Sequence, residues 1–264
     1  MKLENIKIIF IDIDGTLVDD NKNISIATKN AIKRITDKGI LVVITSGRDL
    51  VHTINRSISS NASSFVIATG GSVIYNYKNN EFIFLDIFDY SKVVSVWNYC
   101  ISNDIGIIIK TTNGVYCNIL SRTEYTYIND ISVCKDKQIS QFLITSDSYD
   151  KMEMVRKHVC DVGMFITSLS SSYLERTDAS YYAIDVNNSN VSKGYAVSLL
   201  LNFLNIKKEN SLCFGDYIND VEMFKNCGYS VAMENASDEI KNIANFVTKS
   251  NNDDGVAYFL NKYL

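Results

Sequence analysis

The sequence predicts an α/β protein: a Rossmann-like parallel-sheet core whose chain is interrupted by an α+β insert. Two observations carry this. Short β-branched runs alternate with amphipathic stretches at both ends of the 264 residues, the pattern of βα units feeding a parallel sheet. That alternation stops near Phe82 and resumes near Lys193, so the two flanks must come together to complete one sheet. The expected organisation is a core from 1–81 and 187–264 with an insert from 82–186.

Taken in order, Ile8 to Ile11 is too short and too β-branched for a helix and reads as a buried strand. Ser25 should then cap a helix with Ala27, Ala31, Ile32 and Ile35 on one stripe, closed by Gly39. Strands are expected near 40–45 and 65–68, and Leu50, Val51, Ile54 and Ile58 continue the helical rhythm between them. The insert interleaves helical stretches (92–102, 149–160) with strand-like ones (105–110, 115–119, 141–145, 165–168, 181–186). Beyond it, Ser192 should cap a helix carrying Ala196, Val197, Leu200 and Leu204, and further strands are expected near 211–214, 229–232 and 246–248. Asp253-Asp254-Gly255 should cap a last helix that turns Val256, Phe259 and Leu260 inward.

A formal charge of −4 with no basic run argues against a nucleic-acid or anionic-membrane surface. Only four consecutive apolar residues precede Asp12, which fits neither a signal peptide nor a transmembrane helix, so a cytoplasmic location is expected. The six cysteines include no C-x-x-C and read as free thiols, with no zinc site indicated. There is no proline, so turns and helix starts fall to Ser, Asp, Asn and Gly.

Four places far apart in the chain carry chemistry, each at a strand end or helix start. The strand at Ile8 runs straight into Asp12 and Asp14, delivering two carboxylates and Gly15 to the crevice where open α/β sheets bind ligands. The second strand ends in Ser46-Gly47-Arg48, which offers a hydroxyl, backbone amides and a guanidinium to a phosphate dianion; Ser46 could equally be a plain helix cap. Lys193 follows the Ser192 cap, where a cation opposes the helix dipole unless an acid sits opposite it. The segment Gly215-Asp216-Tyr217-Ile218-Asn219-Asp220 adds two carboxylates and an amide, with Asp220 also readable as a helix cap. If Asp12, Asp14, Asp216 and Asp220 converge, each pair at about 4–5 Å repels by roughly 3–4 kcal/mol at an effective dielectric near 20. A hard, octahedral ion such as Mg²⁺, together with Lys193, would offset this, since the set contains no His or Cys.

Those residues resemble the four motifs of the haloacid dehalogenase superfamily: Asp12-Ile13-Asp14-Gly15-Thr16, Ser46-Gly47-Arg48, Lys193-Gly194 and Gly215-Asp216-x-x-Asn219-Asp220. The long insert, with the tail Val231-Ala232-Met233-x-Asn235-Ala236, is similar to Cof-type sugar phosphatases carrying a large α/β cap. The resemblance implies that Asp12 is a nucleophile forming an aspartyl-phosphate and Asp14 the general acid and base. It implies Mg²⁺ held by Asp12, the backbone carbonyl of Asp14 and Asp216, with Asp220 acting through water or through Lys193. Ser46, Gly47, Lys193, Asn219 and the amides from Gly15 onward would bind the phosphoryl group of a small phosphorylated substrate. A phosphomutase of the same architecture and a non-catalytic phosphometabolite sensor are the alternatives. The chain departs from the family pattern at Ala68-Thr69-Gly70-Gly71-Ser72, at Asn190 and at Glu234, which leaves the roles of Arg48, Gly71 and Asn188 open.

Overall fold

Ile8–Ile11 (β1) is buried along its length and pairs in parallel with a strand on each side, which is why it shows no polar alternation. The structure, a computed structural model, describes residues 3–173 and 180–264. It divides into two compact units, Met1–Phe84 with Ser192–Leu264, and Leu85–Val191. After β1 the chain forms α1 (Ile26–Asp37), β2 (Leu41–Thr45), α2 (Leu50–Ser59), β3 (Phe65–Ala68), β4 (Val73–Asn76) and β5 (Glu81–Leu85). The second unit contains α3 (Tyr90–Ser102), β6 (Gly106–Thr111), β7 (Gly114–Cys117), β8 (Thr126–Tyr127), β9 (Ile139–Ser146), α4 (Tyr149–Asp161), β10 (Phe165–Tyr173) and β11 (Ser180–Asn187). The first unit then resumes with α5 (Lys193–Phe203), β12 (Ser211–Gly215), α6 (Val221–Asn226), β13 (Tyr229–Ala232), α7 (Asp238–Ile243), β14 (Phe246–Val247) and α8 (Gly255–Tyr263).

In the first unit an eight-stranded sheet runs β14-β13-β12-β1-β2-β3-β4-β5, parallel from β14 to β3 and antiparallel between β3 and β4. Alternate residues of its central strands build two cores. Ile9, Ile11, Ile44 and Phe214 pack with α1 and α8 on one face, while Ile8, Phe10, Val43 and Cys213 pack with α5 and α6 on the other. Each fully buried side chain of this size contributes about 1.5–3 kcal/mol, and covering both faces makes the central strands continuous apolar runs. The second unit is a six-stranded sheet, β10-β11-β9-β6-β7-β8, packed on one face by α3 and α4 around Trp97, Phe142, Met152 and Val155.

Several expectations are corrected. The strands β4 and β5 follow β3 in a stretch for which the sequence named no element. Ala27 lies on the exposed side of α1, and Thr28 takes its place inward. Val51 and Ile58 are exposed, and α2 instead buries Leu50, Thr53 and Ser57. Apolar periodicity misses this face because the buried hydroxyls are satisfied locally: Thr53 Oγ1 donates to the Asp49 carbonyl (2.8 Å) and Ser57 Oγ to that of Ser63 (2.9 Å). Before α8, Asp254 makes no side-chain cap bond and sits at φ 56°; Ser250 takes the capping role for the short turn Asn251–Asp253. All six cysteines are free, and only Cys160 is exposed. Among the described residues no helix is long and apolar enough to cross a membrane.

Candidate active site

Because β1 lies between β12 and β2 with Ile11 level with Phe214 and Ile44, the residues that follow these strands emerge side by side at the carboxyl edge of the sheet. Asp12, Ser46 and Asp216 are those residues, and Asp12 and Ser46 are buried. The Asp12 amide continues the β12 ladder, donating to the Phe214 carbonyl at 3.2 Å. Ser192 caps α5, its Oγ accepting from the Tyr195 amide, and this sets Lys193 as the first helical residue. Lys193 is 3% exposed, and its Nζ donates to Asp12 Oδ1 (2.5 Å) and Asp220 Oδ1 (2.7 Å). Two buried acids in contact outweigh the unfavourable helix dipole, which is worth no more than about 1 kcal/mol here.

Asp220 is fully buried and stands at the N-cap position of α6, but its side chain makes no cap bond to that helix. Its Oδ2 accepts from the amides of Asp216 (3.0 Å) and Tyr217 (3.2 Å), so it ties the turn after β12 to Lys193. Asp216 is held from the other side by Thr16 Oγ1 at 2.8 Å, a contact for which the sequence reading assigned Thr16 no role. Two glycines permit these approaches. Gly15 has φ +78°, and a Cβ there would stand 2.2 Å from Asp216 Oδ2. Gly71 has φ +110°, and a Cβ there would stand 2.3 Å from the Ser192 carbonyl oxygen, so glycine at this position lets the loop after β3 pack against the start of α5.

Asp12, Asp216 and Asp220 can each place an oxygen within 4.8 Å of the others'. Three carboxylates meet one ammonium, leaving two negative charges in excess. Burial, reinforced by Asp220 and Asp216, pushes the Asp12 carboxyl well above its ordinary value despite Lys193. Burial and then Asp220 push Asp216 up to about 6. Lys193 is desolvated by burial, yet Asp12 and Asp220 hold it protonated, above the usual lysine range. An all-oxygen donor set with this excess fits a hard divalent cation and suits neither zinc nor copper.

The Asp14 side chain is not in that cluster. Its oxygens accept from Arg48 Nε (2.8 Å, Oδ2), Arg48 Nη2 (2.9 Å, Oδ1) and Lys22 Nζ (3.1 Å, Oδ1). Burial opposes ionisation, but the fork of Arg48 and then Lys22 hold the carboxyl down at about 2. Ser46 Oγ accepts from the Arg48 amide at 3.1 Å, so one loop carries both the hydroxyl and the guanidinium. Asp49, whose side chain accepts from the His52 amide, caps α2, which removes the plain capping role from Ser46. Gly47 lies between Ser46 and Arg48 on this loop. Asn219 is exposed on the turn Ile218–Asp220, and none of the cluster's hydrogen bonds described above involves it. Asn188 belongs to the second unit, where its Nδ2 donates to Asp86 Oδ1 at 3.1 Å.

Comparison with known proteins accords with this arrangement. Residues 9–260 match the model of the haloacid dehalogenase-like hydrolases. A 5-amino-6-(5-phospho-D-ribitylamino)uracil phosphatase, YcsE of Bacillus subtilis (strain 168), is 29% identical over 255 residues, covering 96% of this chain and 94% of that one. A second from the same organism, YwtE, is 27% identical over 98% of both chains. A haloacid dehalogenase-like hydrolase from Bacteroides thetaiotaomicron has the same fold, with a TM-score of 0.82 at 23% identity over 97% of this chain and 99% of that one. The chain belongs to the haloacid dehalogenase-like hydrolases, as a Cof-type member, and is an enzyme of the phosphoric monoester hydrolase class.

Proposed function

We propose that the chain is a Mg²⁺-dependent phosphatase of small phosphorylated metabolites, sugar phosphates in particular, that works through an aspartyl-phosphate on Asp12. One observation carries this reading: buried Asp12 shares Lys193 with Asp220 and lies beside Asp216, in a cluster two charges too negative unless a cation joins it. Asp12, Asp216, the backbone carbonyl of Asp14 and, through water, Asp220 would hold Mg²⁺. When bound, the ion offsets the negative charge that would otherwise repel a phosphate and stabilises charge on the transferring oxygens.

Asp12 attacks phosphorus through a carboxylate oxygen, and the bond from phosphorus to the leaving alcohol breaks. Asp14 gives that alcohol oxygen its proton, then takes a proton from the water that attacks phosphorus, releasing inorganic phosphate and restoring Asp12. Both Asp14 oxygens are engaged by cations in this structure and its carboxyl is held down at about 2, so donation requires Arg48 to release one oxygen as substrate enters and Asp14 to take up a proton from solvent first. Lys193, Ser46 Oγ, the amides at Gly15 and Gly47, and Asn219 bind the phosphoryl oxygens. The names of the two Bacillus relatives specify a phosphorylated ribityl group, which supports a polyhydroxylated leaving alcohol here.

The test is phosphate release from a panel of sugar, alditol and nucleotide phosphates, with Mg²⁺ and after chelation. Hydrolysis should require the metal and favour sugar or alditol esters. Undiminished turnover after thorough chelation would remove Mg²⁺ from the reading, and accumulation of an isomeric phosphate ester in place of free phosphate would make the protein a mutase.

A further inference from the structure

Around Asp14 the first unit carries more basic groups than that carboxylate needs. Lys22 and Arg48 already pair with it, at 3.1 and 2.8 Å. His52 and Arg56, one turn apart on α2, extend the row. Arg56 Nη1 donates to the Lys22 carbonyl (3.0 Å) and Nε to His52 Nε2 (3.4 Å). Lys22 therefore touches Asp14 with its side chain and Arg56 with its backbone. Both acceptors of Arg56 are neutral, and among the described residues it pairs with no carboxylate. Burial, then Arg48 and Arg56, push the His52 imidazole below its ordinary value despite Asp49 and Asp14, so it adds no charge at neutral pH and serves Arg56 as an acceptor. The other acids near the row are engaged: Asp49 accepts from the His52 amide, and Asp20 from Asn251 and Asn252. The dipole of α2 favours a cation in its last turn, but it does not require that cation to lie against His52 and Lys22. A half-buried guanidinium with two neutral partners keeps donors and a full charge for an anion.

We infer that Arg56 is a specificity-determining residue that binds a carboxylate on the alcohol part of the substrate, so that phosphate esters of sugar acids are preferred to those of uncharged polyols. This rests on the phosphatase reading above. Under that reading Asp14 faces the leaving oxygen, and a substituent of the leaving alcohol comes next to the groups that surround Asp14. Lys22 and Arg48 are taken up by Asp14 itself, which leaves Arg56 as the cation with charge to spare. A guanidinium takes a carboxylate through two parallel N–H···O bonds, a geometry that a hydroxyl cannot match. One uncommitted cation balances the single charge of a carboxylate and falls short of the two on a second phosphate. His52 and the Lys22 carbonyl position the guanidinium from its other donors.

The experiment compares kcat/KM for gluconate 6-phosphate and glucitol 6-phosphate, which differ only in a terminal carboxylate against a terminal hydroxymethyl group. Wild type, Arg56→Gln and Arg56→Lys are measured with Mg²⁺ present, each checked by thermal melting. The readout is the ratio of the two constants. Wild type should favour the gluconate ester roughly tenfold, and the ratio should fall to about one in Arg56→Gln. Arg56→Lys, which keeps the charge and loses the fork, should fall between and guards against a folding failure of the glutamine variant. An unchanged ratio in folded variants, or a wild-type enzyme indifferent to the carboxylate, would overturn the assignment alone. So would release of phosphate from other sugar, alditol or nucleotide esters but from neither of these two. Wild-type protein that releases phosphate from none of them would overturn the phosphatase reading and the assignment with it.

Discussion

Each unit buries a lysine against acid, and the two lysines are used differently. Lys193 makes short contacts with two carboxylates, and a third lies in the same cluster. Lys110 makes its short contact with a neutral amide and stands 3.5 Å from the Asp185 carboxylate. The first arrangement is over-supplied with negative charge, which a cation would offset. Burial of an ammonium is common to both units, and what differs is its nearest partners: two carboxylate oxygens at Lys193 and an amide oxygen at Lys110.

The largest effect should come from Asp12→Asn, which would cut phosphate release by roughly 10⁴-fold or more. It also removes one of the crowded negative charges, so its melting temperature should not fall; loss of activity through unfolding would undo the distinction between the two lysines. Lys193→Met strands Asp12 and Asp220 as buried, uncompensated charges and should destabilise by about 3–5 kcal/mol in urea melts, far more than Lys110→Met. Equal losses at the two sites would show that the surplus of acid at Lys193 has no energetic consequence.

Asp14→Asn sharpens the chemistry of the first region. Its loss of kcat should be about 10²-fold greater for an alkyl phosphate, whose leaving oxygen needs a proton, than for p-nitrophenyl phosphate, whose leaving group does not. A uniform loss would reassign Asp14 to binding. A smaller effect concerns pH. The Asp216 carboxyl is raised to about 6, above the ordinary unfolded value, so proton binding stabilises the metal-free protein at acid pH. That contribution is fully present below about pH 4 and is lost as pH rises through 6, where a divalent cation can replace the proton. Mg²⁺ should therefore raise Tm at pH 7.5 by about 2–4 °C, and by less at pH 5, in scanning calorimetry. The smallest change should be Lys33→Ala: its surface pair with Asp37 is worth no more than about 0.5 kcal/mol, within the error of most melts.

The fold and the gathering of acids and Lys193 at the sheet edge were legible for one physical reason. A parallel strand buried on both faces is a short apolar run, and in an open sheet the chemistry follows directly on its carboxyl end, so Asp12, Ser46 and Asp216 announce themselves by position. Lys193 was legible as a cation in the wrong place on a helix. Thr16, the Arg48 fork and the Lys22 contact were not, because each depends on a rotamer and a through-space approach that spacing does not encode. The hydrogen-bonded row of Lys110, Gln141, Asn187 and Thr167 was further out of reach. It takes single residues from four strands of one sheet, and none carries a local signature until the register is known. The α2 face was misread for a related reason, since buried hydroxyls satisfied by nearby carbonyls look polar in sequence and behave as core.

The most direct experiment mixes enzyme, Mg²⁺ and p-nitrophenyl phosphate, quenches in acid within one turnover, and maps phosphate on the peptides by mass spectrometry. Covalent phosphate on Asp12, labile to hydroxylamine and absent from Asp12→Asn, is the expected result. Turnover by an enzyme that never carries phosphate on Asp12, or carries it on another side chain, would show that the carboxylate gripped by Lys193 is not the nucleophile.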